Sequence, residues 1–181
     1  MSTAITTDTI SGFFEKLGWS FRVIDSTRVL TNYRCPVPAF YYVINVEIIL
    51  GEYWVTFRSL LQNNVSRGQL AAVQELISQW NKHAYRARYL LVDGCVILQI
   101  EMPKAHFDYA AFVDSLVAIC RYGRLSGVEM AAAATNPSLA KQIDLAVAAE
   151  APPAAWEAIL PTGDEDLNFD ISMNRLPDGT T

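Results

Sequence analysis

The dipeptide Asp93-Gly94 divides the stretch RARYLLVDGCVILQIE, residues 86–101, into two alternating runs. A two-residue type I′ turn needs positive φ at both central positions, and Asp-Gly meets that demand at low steric cost. Pairing outward from the turn sets Leu91 opposite Val96, Tyr89 opposite Leu98 and Ala87 opposite Ile100, which is a core face. The other face pairs Val92 with Cys95, Leu90 with Ile97, Arg88 with Gln99 and Arg86 with Glu101. Side chains alternate with period two, so a slip by one residue would drive Arg86 and Arg88 into the core. Register alone therefore explains why these charges stand where they do. An exposed Arg86–Glu101 pair is worth under about 1 kcal/mol.

A second hairpin is expected in FYYVINVEIILGEYWVTFRSLL, residues 40–61. Glycine at the first turn position suits a type II′ turn at Gly51-Glu52. That turn pairs Leu50 with Tyr53, Ile48 with Val55 and Val46 with Phe57 on an apolar face. Ile49–Trp54, Glu47–Thr56 and Asn45–Arg58 make the mixed opposite face, as in a sheet with one side toward water. Two shorter β-prone runs flank Asp25-Ser26. The segment RCPVP should interrupt strand structure, because Pro36 and Pro38 cannot donate to a ladder.

Three helices follow from apolar spacing. Residues 8–17 carry Ile10, Phe13, Phe14 and Leu17 on one side, with Asp8 as the expected cap and Gly18 as the stop. In SRGQLAAVQELISQWNK, Ser66 and Gln69 read as a capping box ahead of the stripe Leu70, Val73, Ile77 and Trp80. FDYAAFVDSLVAICRYG starts at an Asp108 cap and presents Phe112, Leu116 and Cys120. Gly123 and Gly127 should weaken it, although VEMAAAA can resume it. Asn136-Pro137 then begins another helix, as cap and first position, running to about Glu150.

The fold class expected is α+β: an antiparallel sheet of about five strands with helices packed on one face, plus a C-terminal helix and tail. Residues 1–133 form the domain and 134–181 the appendage. The chain has 181 residues, 51% hydrophobic and 18% charged, enough for a real core. No apolar run reaches membrane-spanning length, and no leader pattern opens the chain, so a cytoplasmic location is expected. The formal charge of −5 is uneven. From Glu150 onward the acids are Glu150, Glu157, Asp164, Glu165, Asp166, Asp170 and Asp178, against Arg175 alone. No segment has the clustered cations of a nucleic-acid binder.

The order of elements, with LAAVQELISQWNKHAYRARYLLVDGCVILQIEMPKAHFDYAAFVDSLVAICRYG, resembles the YbjN family. Asn81, Tyr85, Asp93-Gly94 and the helix from Phe107 to Tyr122 carry the resemblance. It implies a fold like that of type III secretion chaperones, and a tendency to pair into homodimers.

No catalytic constellation is expected. A metal site wants three or four ligands, and no carboxylates are arranged near His83 or His106 to supply them. Cys35, Cys95 and Cys120 show no C-x-x-C spacing. Asp164-Glu165-Asp166 is a run rather than a pair held across a cleft. No phosphate-cradling loop or nucleophile elbow occurs, so no cofactor is expected. The residues that stand out are apolar ones on the mixed sheet faces. Trp54, Ile49, Leu90 and Ile97 could form one apolar patch, with Tyr41, Val43, Val92 and Cys95 adding to it and Arg58, Arg86 and Arg88 as a polar rim. Such patches mark interfaces, unless the chain's own C-terminal helix and tail cover them. The expected function is non-enzymatic: holding an apolar segment of another protein, as a homodimer, with no nucleic acid and no membrane. A small-molecule sensor or small enzyme with a pocket between sheet and helices is the alternative, and a subunit of a larger assembly the third. Trp156, Ile159 and Leu160, at helical spacing, suit either a plug on the chain's own domain or a recognition peptide.

Overall fold

The computed structural model describes residues 4–37 and 40–135. Its elements are α1 (Thr7–Leu17), β1 (Arg22–Asp25), β2 (Arg28–Val37), β3 (Phe40–Leu50), β4 (Trp54–Gln62), α2 (Leu70–His83), β5 (Arg88–Val92), β6 (Cys95–Pro103), a short 3-10 turn (Lys104–His106) and α3 (Tyr109–Thr135). The strands form one antiparallel sheet in the order β1-β2-β3-β4-β6-β5. That is one strand more than expected. Both β-prone runs read around Asp25-Ser26 join the sheet, as β1 and β2, through a tight turn. There the Thr27 amide and hydroxyl both donate to Asp25 Oδ1, at 2.8 and 2.7 Å, and Arg28 Nε donates to Oδ2 at 2.7 Å.

Pro36 does not interrupt the sheet, while Pro38 lies outside the described residues. β2 runs through Pro36, in register with Tyr41 of β3. The reason lies on the other flank. β1 pairs with β2 over Arg28–Leu30 only, so beyond Leu30 that flank of β2 is an edge among the described residues, and an edge tolerates a missing N–H.

The hairpin β5–β6 has the expected register residue for residue, from Val92↔Cys95 to Arg88↔Gln99. Asp93 and Gly94 take φ of 49° and 76°, both in the left-handed region that the turn requires. The β3–β4 hairpin departs from expectation by two residues. Leu50 pairs with Val55, Ile48 with Phe57 and Glu47 with Arg58, and the Gly51 amide donates to the Trp54 carbonyl at 2.9 Å. The turn is Glu52-Tyr53, and Gly51 is not among the positive-φ glycines. A slip of two keeps every side chain on its face, so Val46, Ile48, Val55 and Phe57 are still fully buried.

The three helices cover the buried side. α1 starts at Thr6, not Asp8: Thr6 and Thr9 exchange side-chain and backbone bonds across the first turn. Gly18 ends it at φ 67°. Ser66 and Gln69 form no capping box; α2 begins after Gln69 without a side-chain cap. Asp108 does cap α3, accepting from the Ala111 amide at 2.8 Å. α3 does not weaken at Gly123 but continues to Thr135. A Cβ at Gly123 would come within 3.1 Å of Ile44 Cδ1. The glycine lets the helix lie close on β3, and packing offsets the helix propensity it gives up. Phe112 joins three elements of the core. Its ring stands perpendicular to Phe14 of α1 at 5.0 Å and lies 6.0 Å from Phe57 of β4.

The helix expected from Asn136-Pro137, the segment with Trp156, Ile159 and Leu160, and the acidic tail lie outside the described residues, as do the side chains of Cys35 and Tyr41.

Candidate functional site

Because the helices occupy one side, the other side of the sheet is built from the alternate residues of each strand. Their register fixes rows across it. Near the β3–β4 turn, Trp54 pairs with Pro103, and the next row is Arg28–Ile49–Thr56–Glu101. The central row is Leu30–Glu47–Arg58–Gln99–Arg88. Beyond it come Leu60–Ile97–Leu90, then Cys95–Val92.

The candidate residues therefore do not form one patch. Ile49 and Trp54 are diagonal neighbours at one end, and Leu60, Ile97 and Leu90 form a strip toward the other. The row between them is charged, and two strand steps hold Ile49 and Ile97 about 13 Å apart along the strands. Exposure differs too. Trp54 is 48% and Val92 40% exposed, whereas Ile97, flanked by Leu60 and Leu90, is only 4% exposed.

Glu47 holds the central row together. Two N–H groups of Arg58 converge on Glu47 Oε2, at 2.8 and 3.3 Å, while Arg28 Nη1 lies 3.7 Å from Oε1. The carboxylate thus ties β2, β3 and β4. The Arg58 and Glu47 side chains are 19% and 12% exposed, so this pair is partly desolvated. Sequence reasoning placed Asn45 opposite Arg58 and missed it. The signal that could have found it was charge itself, since only the slipped register sets Glu47 against Arg58.

Arg86 is not on this face. β5 begins at Arg88, so the expected Arg86–Glu101 pair does not form. The Arg86 guanidinium lies instead 3.6 Å from Asp114 on α3. It borders a cleft of about 240 Å³ between α3 and the α2–β5 connection, lined also by Tyr85, Arg121 and Tyr122. The Tyr122 hydroxyl accepts from the Tyr85 amide at 3.2 Å and fixes the connection, while the Tyr85 side chain stays 90% exposed. Arg88 is exposed at the end of the central row.

Asn81, one of the residues that carry the resemblance, stands in the last turn of α2. Its Nδ2 donates to the Tyr89 carbonyl at 2.9 Å, and its Oδ1 accepts from the Tyr89 amide at 2.8 Å. One side-chain amide thereby satisfies both outward backbone groups of Tyr89 and covers the β5 edge of the sheet.

Cys120 is buried and Cys95 partly exposed. Among the described residues no three His, Cys, Asp or Glu side chains gather as a metal site, and no helix is long and apolar enough to cross a membrane.

These features define an α+β protein with an antiparallel six-stranded sheet, helices on one side and a charged row across the other. In fold it is similar to the crystal structure of YbjN from E. coli, which carries a provisional assignment as a transcription regulator. The TM-score is 0.55 at 14% identity, covering 73% of this chain and 96% of that one. No family profile and no curated protein matches the sequence.

Proposed function

We propose that this chain is a non-enzymatic, chaperone-like binding protein of the cytoplasm, working as a homodimer and holding an apolar segment of a partner protein on its open sheet face. The observation that carries the reading is the strip Leu60–Ile97–Leu90, extended by Val92 and Cys95, on the side that no described helix covers. Arg58 and Arg88 border the strip, and Trp54 stands with Ile49 beyond the charged row. An extended partner segment would add burial at Val92 and Trp54, which still face water, at roughly 25 cal/mol per Å² before the entropic costs of association. Ile97 contributes shape rather than new burial, since it is already dry.

YbjN's provisional regulatory role would reach this chain through protein contact rather than direct DNA binding on this reading. The cations of the open face alternate with Asp25, Glu47 and Glu101, and the whole chain is acidic, which is a poor footprint for a polyanion.

The test is affinity capture from native extract with wild type and the double variant Trp54→Ala, Val92→Ser, identifying every recovered protein. The variant should lose specific partners at least fivefold while keeping its thermal midpoint. Equal recovery by both proteins overturns the assignment of this face.

A further inference from the structure

The cleft between α3 and the α2–β5 connection is separate from the open sheet face and has its own chemistry. Two guanidinium groups, Arg86 and Arg121, line it against a single carboxylate, Asp114, which is engaged with Arg86. Val117 and Ala118 supply a half-buried apolar floor. The Tyr85 side chain, 90% exposed, stands at the mouth with its backbone fixed by Tyr122. Further cations lie close in sequence on the same two elements: Lys82 in the last turn of α2, and Arg124 one turn beyond Arg121 on α3. The complement to such a cleft is a short acidic segment with an apolar or aromatic residue among its acids.

The chain carries one. In GDEDLNFD, residues 163–170, the acids Asp164, Glu165, Asp166 and Asp170 surround Leu167 and Phe169. Reach is ample. Arg121 lies roughly 20 Å back along α3 from Thr135, at 1.5 Å per residue. The connection from Thr135 to Asp164, about 30 residues, spans up to about 100 Å when extended. Tethering gives such a segment an effective concentration in the millimolar range, ahead of a free acidic peptide of equal affinity.

We infer that this cleft is a docking site for the chain's own acidic segment, residues 164–170, with its carboxylates on Arg86 and Arg121 and its apolar residues on the Val117–Ala118 floor beside Tyr85. The cleft is then occupied within one molecule, and an acidic partner reaches it only by displacing that segment.

The test uses the full chain carrying Arg121→Lys, which retains the positive charge at an exposed position and adds an amine for zero-length carbodiimide coupling. Peptide mapping of a mixture of ¹⁴N- and ¹⁵N-labelled protein separates couplings within a chain from those between chains. The expected result is coupling of position 121 to Asp164, Glu165, Asp166 or Asp170 within one chain. It should fall at least tenfold at 1 M salt, or when these four acids are replaced by their amides. Coupling between chains would assign the cleft to a second copy and overturn the inference. So would coupling to Asp114 alone, coupling to a different acidic protein added in equimolar amount, or no coupling under conditions where Lys104 reacts.

Discussion

The hairpins β3–β4 and β5–β6 answer to one pairing rule and come out differently. β5–β6 forms in the register that Asp93-Gly94 dictates, while β3–β4 slides its turn from Gly51-Glu52 to Glu52-Tyr53. Asp-Gly meets a demand that few dipeptides meet, positive φ at two successive positions, so the turn can sit in one place only. Gly51 meets no such demand, and its φ is not positive. There the register is decided across the strands instead, where the slipped alignment brings Glu47 against Arg58 and Ile48 against Phe57. A turn with strict dihedral needs determines register locally. A permissive turn leaves the choice to partners that a local reading does not weigh.

The largest effect that would test this contrast is at Glu47. Glu47→Ala leaves Arg58 partly buried without its counter-charge and should cost about 2–4 kcal/mol in urea unfolding. Glu101→Ala, at an exposed position of β6 in the other hairpin, should cost under about 1 kcal/mol. Equal losses would mean that the charged row does not set the β3–β4 register. The turns themselves come next. Gly94→Ala forces a Cβ into a left-handed conformation and should cost about 1–2 kcal/mol. Gly51→Ala meets only the Trp54 carbonyl at 3.4 Å and should stay within about 0.5 kcal/mol. A loss at Gly51 matching that at Gly94 would show a dihedral constraint in β3–β4 after all.

The smallest effect concerns the third turn, where bonds from Thr27, then Arg28, hold the Asp25 carboxyl down at about 2. A depressed folded value means the contribution is present above the unfolded value, about 4, and is lost as pH falls toward 2. Asp25→Asn should therefore unfold at lower urea than wild type near neutral pH, with the gap closing below about pH 4. A gap constant down to pH 2 would remove this turn from the set held by side-chain chemistry.

The contrast also measures how far the sequence could be read. Faces were legible almost everywhere, because period-two burial survives a two-residue slip: Val46, Ile48, Val55, Phe57, Tyr89 and Leu98 are all buried where alternation put them. Asp108 and Gly18 were legible as helix boundaries because their chemistry is local. The continuation of α3 through Gly123 was not, since the reason for that glycine is Ile44, some eighty residues earlier. Nor was the split of the candidate site. Trp54, Ile49, Leu90 and Ile97 were each on the face assigned to them, but the charged row that parts them appears only once β4 is set beside β6. Arg86 failed for a related reason: α3, distant in sequence, supplies Asp114 and draws it off the sheet.

Asn81 has a consequence for assembly. With Tyr89's outward hydrogen bonds occupied by a side chain of the same molecule, another strand is turned away from β5 there. Among the described residues the other border is the β1 flank, where Val23 and Ile24 still face water. A ribbon needs two adhesive borders, and among the described residues the β5 border is closed at Tyr89. Were two copies to join through β1 about a twofold axis, that border would be consumed in both, and the product would be a closed pair rather than a fibre.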